Sequence, residues 1–123
     1  MNIIDSSAWL SFFADEPSSG HFLAPIQDKD SLVVPVITIY EVFKVVLREA
    51  SENEALQVIG AMQSGIVVDL TAHIAISASR LSLKHKLPMA DSIILATAKL
   101  HNAIVWTQDI DFKDIPGVKY FQK

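Results

Sequence analysis

Two spacings of apolar residues alternate along the chain. Runs of three or four apolar positions are separated by longer stretches in which apolar side chains return every third or fourth residue. The short runs predict strands at Asn2 to Ile4, Leu32 to Val34, Ile66 to Val68, Ala103 to Trp106 and Val118 to Phe121. The longer stretches predict helices. Ser6 to Ala14 has a stripe of Trp9, Phe12 and Phe13, and Ser18 to Asp28 carries a weaker pattern. Pro35 to Ala50 buries Ile39, Val42, Phe43, Val46 and Leu47, and further helices are predicted over Glu52 to Gln63, Thr71 to Lys86 and Ala90 to His101. Gly65 and Pro88 fall between elements, where breakers belong. No repeat or linker interrupts the pattern, so residues 1–123 are read as one domain.

Strands that alternate with helices argue for a mostly parallel sheet of four to five strands, covered by helices on both faces. Right-handed crossovers then bring helix N-termini and strand C-termini to one edge of the sheet. Ligands of such folds bind at that edge.

Composition narrows the picture further. Half of the residues are hydrophobic, as expected for strands buried on both faces. No apolar run reaches the roughly 20 residues of a membrane span, and the N-terminus lacks the basic region of a signal peptide. There is no cysteine, which excludes disulfides and thiolate sites. These features lead us to expect a cytoplasmic protein. The net charge of −4 is wrong for a passive nucleic-acid binder. For a nucleic-acid partner the repulsion must be offset, and a divalent cation on clustered carboxylates could do so. The other readings are a basic protein partner, or no charged partner at all.

Four acids map to the ligand-binding edge. Asp5 and Asp109 follow strands, Asp91 lies in the first turn of a helix, and Glu41 lies early in the helix after the second strand. Each has a structural alternative. Asp5 can cap the helix from Ser6. Glu41 can close a capping box with Thr38, Asp91 can answer the helix dipole, and Asp109 can form an Asx turn. Together, four converging carboxylates repel one another unless a cation or proton intervenes. Oxygen-only ligands suit Mg²⁺ or Mn²⁺. Asp111 is near enough to assist or replace Asp109, while Asp69 reads as a cap before Thr71.

The segments IIDSS at 3–7, PVITIYEV at 35–42, LPMADSIILATA at 87–98 and WTQDIDF at 106–112 appear in this order along the chain. In them the sequence resembles the PIN-domain ribonucleases, and among these the VapC-like toxins of toxin–antitoxin pairs. The resemblance implies a three-layer α/β/α sandwich and metal-dependent endonuclease action on RNA. It assigns the acidic quartet to Asp5, Glu41, Asp91 and Asp109, with Asp5, Asp91 and Asp109 as metal ligands for Mg²⁺ or Mn²⁺. Ser6 and Thr107 match supporting hydroxyl positions. It also implies a homodimer and an antitoxin partner seated in an apolar groove.

Other residues have weaker claims. Lys44 and Arg48 share a helix side with Glu41 and are candidate RNA contacts, or simply a solvated face. Arg80, Lys84, His85 and Lys86 form a second basic group that a helix C-terminus equally explains. The four histidines lack ligand spacing. Trp9 and Trp106 read as core, with base stacking on Trp9 as the alternative. The apolar surplus at Phe12, Phe13, Phe22 and Leu23 is either core or a partner surface. Two competing functions are a receiver-like phospho-acceptor domain, with Asp69 as acceptor, and a non-catalytic PIN-like binding module. The first lacks a lysine after the strand Ala103 to Trp106; the intact quartet counts against the second.

Overall fold

The computed structural model describes residues 1–123. Five strands form one sheet: β1 (Asn2–Ile4), β2 (Leu32–Pro35), β3 (Ile66–Val68), β4 (Ile104–Thr107) and β5 (Val118–Tyr120). All pairings are parallel, and the spatial order is β3-β2-β1-β4-β5. The helices are α1 (Ser6–Phe13), α2 (Leu23–Gln27), α3 (Val36–Glu49), α4 (Glu52–Met62), α5 (Ala72–His85) and α6 (Met89–Leu100).

Strand alternation builds two cores. Ile3, Val33 and Val105 face one side, where they meet Ile74, Ala78 and Leu81 of α5 and Ile94 of α6. Ile4, Leu32 and Val34 face the other side, against Ala8 and Trp9 of α1, Val42 of α3 and Met62 of α4. The sheet is therefore covered on both faces, giving three layers. From Ser92 to Ala98 every residue of α6 is buried, which explains why this helix reads as apolar nearly all round. Its hydroxyls bond within the helix, Ser92 to the Met89 carbonyl and Thr97 to that of Ile93, so no polar group is stranded.

Helix boundaries follow local chemistry. Thr71 Oγ1 accepts from the Ile74 N–H and Ser51 Oγ from that of Glu54, as N-caps do. Lys86 ends α5 in the left-handed conformation, with φ 55°.

Two expectations need correction. The helix expected over Ser18 to Asp28 is a 3₁₀ turn, Pro17–Phe22, followed by the short α2. Gly20 weakens the first half, and Pro25 has no N–H and is tolerated only in a first turn, so α2 starts just before it. On α3 the buried residues are Thr38 and Val42; Leu47, expected inside, is exposed. Val46, one position earlier, faces the groove beside α1 and α4, and Leu47 is turned about 100° round the helix from it. No helix is long and apolar enough to cross a membrane.

Candidate active site

The site lies at the C-terminal edge of β1 and β4, where α1, α3 and α6 present their N-terminal turns. Asp5 directly follows the central strand and is 2% exposed. It caps α1 by accepting from the Ala8 N–H at 2.9 Å. It also accepts from Ser7 Oγ at 2.8 and 3.0 Å and from Thr107 Oγ1 at 2.6 Å. Capping and site membership therefore coincide in one side chain. Burial pushes the Asp5 carboxyl up to about 6, against the pull of the hydrogen bonds from Thr107, Ala8 and Ser7. The charge of Asp109 adds to the rise.

Thr107 ties β4 to this carboxylate. Its hydroxyl donates to Asp5 and accepts from the Asp109 N–H at 2.9 Å. Asp109 in turn accepts from the Asp111 N–H at 2.9 Å, forming the Asx turn foreseen for it. Glu41 forms no capping box, because Thr38 Oγ1 donates back to the Pro35 carbonyl. Instead Ser6 Oγ donates to Glu41 Oε1 at 2.6 Å, linking α1 to α3.

Asp91 is half-buried in the first turn of α6. Carboxylate oxygens of Asp91, Asp109 and Asp111 lie within 4.8 Å of one another. The Asp91 carboxyl is pushed up to about 8. Burial is the main cause, followed by the charges of Asp109 and Asp5, a hydrogen bond shared with Asp109, and the charge of Glu41. The other three acids of the quartet therefore act on the Asp91 carboxyl, with Asp111 beside them. An all-carboxylate donor set loaded with this much mutual repulsion fits a hard divalent cation such as Mg²⁺ or Mn²⁺. The site is an open edge rather than a deep pocket. The main cavities, of about 400 Å³, lie elsewhere, among α1, α3 and α4 and between α5 and α6.

The expected RNA contacts are not part of this cluster. Arg48 sits in the last turn of α3 and pairs with Glu49 at 3.1 Å. Lys44 is exposed, with its ammonium 5.7 Å from the centre of the Tyr40 ring. Arg80, Lys84 and Lys86 are exposed along the end of α5. Trp9 is 1% exposed, which removes it as a stacking surface. Asp69 follows β3, an edge strand, so it lacks the central position a phospho-acceptor needs.

Two residues of the site went unassigned from sequence. Ser7 donates to Asp5 and accepts from the Gln108 N–H at 3.3 Å. Gln108 is buried and donates through Nε2 to Ser18 Oγ, pinning the Pro17–Phe22 turn to the β4 loop. The signal for Ser7 was its place two residues after Asp5; Gln108 carried none.

A family model described as PIN domain matches residues 3–118. The chain belongs to the PIN domain family. Solved PIN-like structures share its architecture throughout. A chain of a toxin–antitoxin complex from Klebsiella pneumoniae is 24% identical, with TM-score 0.84 and full coverage of both chains. A chain of the DNA-bound VapBC complex from Salmonella typhimurium is 20% identical with TM-score 0.75, covering 99% of this chain and 98% of that one. VapC20 of Mycobacterium tuberculosis, described as a sarcin-ricin loop cleaving toxin, is 13% identical with TM-score 0.75, covering 96% and 98%. No curated protein matches the sequence.

Proposed function

We propose that this PIN domain, acting as one unit over its full length, is a metal-dependent endoribonuclease and the toxin of a type II toxin–antitoxin pair. The observation that carries the reading is the convergence at Asp91, whose carboxylate lies within 4.8 Å of those of Asp109 and Asp111 and whose carboxyl is pushed up by burial and by Asp109, Asp5 and Glu41. A binding module gains nothing from such a strained cluster, whereas a cation held there relieves it. Asp5, Asp91 and Asp109 are the proposed ligands, with Asp111 assisting. A bound Mg²⁺ or Mn²⁺ would supply Lewis-acid polarisation of a phosphodiester and lower the pKa of a water.

The chain's own residues do the positioning. Thr107 and Ser7 hold the Asp5 carboxylate in one orientation. Ser6 holds Glu41 facing the edge, where it is placed to accept a proton from an attacking water. Asp109 is fixed by its own turn. Lys44 remains available to a passing RNA backbone; Arg48 would first have to leave Glu49.

The toxin reading is supported by the likeness to chains of toxin–antitoxin complexes. An antitoxin segment fits the groove of about 400 Å³ lined by Leu10, Phe13, Val46 and Val58. A homodimer in the cytoplasm completes the proposal. The test is incubation of single-stranded RNA with the protein in Mn²⁺ and in EDTA. Fragments are expected with metal only; intact RNA under both conditions refutes the nuclease reading.

A further inference from the structure

Four side chains form a ladder beside the acidic edge. Lys119 Nζ lies 4.5 Å from the centre of the Trp106 ring. Trp106 stacks on Phe121, with centroids 5.9 Å and planes 17° apart. Phe121 stacks on His21 at 4.3 Å and 15°. Phe22 braces Phe121 edge-on at 5.7 Å and 87°, and Trp106 Nε1 donates to Asn2 Oδ1 at 2.9 Å. The ladder is thus held from both sides. His21, its outermost ring, is exposed.

Two connections join the ladder to the site. The Phe121 N–H donates to the Thr107 carbonyl at 2.9 Å, and the Thr107 hydroxyl holds Asp5. The turn that carries His21 is pinned through Ser18 to Gln108, the residue before Asp109. Lys119, at the other end of the ladder, puts a cation on it in a chain of net charge −4. An exposed, pre-ordered ring on a ladder that ends in a cation and is tied to a carboxylate site meets the needs of single-stranded RNA. Aromatic faces accept any base, and a ring already held in place loses little freedom on binding.

We propose that the outer face of His21 is a stacking platform for one unpaired RNA base, with Lys119, at the far end of the ladder, attracting the strand's phosphates. The proposal rests on the ribonuclease reading and assigns part of its substrate site.

The test is fluorescence anisotropy with a labelled single-stranded RNA and a strand of equal length made of abasic ribose phosphates. The full chain keeps its carboxylates, and Ca²⁺, another oxygen-seeking divalent cation that acidifies bound water less, replaces Mg²⁺ so that the RNA stays intact. Adding His21→Ala should weaken RNA binding about 5-fold to about 100-fold, the range for one lost base stack. His21→Trp should restore it, and the abasic strand should not distinguish the three proteins. Equal RNA affinity with and without His21→Ala overturns the platform alone. So does an equal loss for the abasic strand, which would make His21 a phosphate contact. No RNA binding by any protein overturns the ribonuclease reading and the platform with it.

Discussion

Replacing Asp91 with asparagine should stabilise the metal-free protein. The Asp91 carboxyl lies at about 8 in the fold against an ordinary 3.8. Because its pKa is raised, the folded state keeps a proton that the unfolded chain has already lost. Stability therefore falls as pH rises from about 4 to about 8 and stays low above that range. At about 1.36 kcal/mol per unit, full ionisation would oppose folding by roughly 6 kcal/mol. Solvent reaches this half-buried group, and screening brings the expected effect down to about 2–3 kcal/mol. Asparagine carries no charge and can still donate to Asp109. At pH 8 in EDTA, Asp91→Asn should melt about 8 °C above the wild type. Near pH 4 the two should melt together. Added Mg²⁺ should raise the wild-type melting temperature at pH 8 and leave the variant nearly unmoved, because the cation takes over the neutralisation. The assay is a thermal melt followed by circular dichroism across this pH range. A variant that melts at or below the wild type at pH 8, with the same pH slope, would refute the electrostatic reasoning.

Three further outcomes are expected. Thr107→Val removes a donor from Asp5 and leaves the Asp109 N–H without its partner; urea melts should show a loss of about 1–3 kcal/mol. The loss should be larger at pH 8 than at pH 5, because Asp5 is ionised only above about 6 and the missing donor favoured its charged form. Ser6→Ala should cost about 1 kcal/mol or less in stability but lower the cleavage rate, with Ser6→Thr restoring it, since Ser6 only positions Glu41. Val58→Asp, in the groove among α1, α3 and α4, should abolish co-purification with the proposed antitoxin on co-expression while leaving RNA cleavage intact.

The elements were readable from the sequence because each strand is a short apolar run and each long helix carries its own stripe. The order β3-β2-β1-β4-β5 was not, since strand neighbours are chosen by packing across crossovers rather than by local pattern. The edge that gathers the acids follows from parallel topology alone, which is why Asp5, Glu41, Asp91 and Asp109 could be placed together in advance. Their individual partners could not. Thr38 bonds back to Pro35 instead of capping with Glu41, and Glu41 finds Ser6, 35 residues away. Gln108 lay between two recognisable positions but acts through Ser18, a contact no spacing rule reaches. The pattern over Ser18 to Asp28 predicts one helix where a 3₁₀ turn precedes α2, so it hides the setting of His21, whose stack on Phe121 joins residues 100 apart.

The central claim is that the carboxylates form one metal-holding nuclease site. The most direct measurement is cleavage of a single-stranded RNA in Mn²⁺ by Asp5→Asn, Glu41→Gln, Asp91→Asn and Asp109→Asn, each first shown to be folded by its melt. The account predicts that every variant falls by orders of magnitude together, because the residues serve a single centre. A folded Asp91→Asn or Asp5→Asn protein that cleaves at the wild-type rate would contradict it.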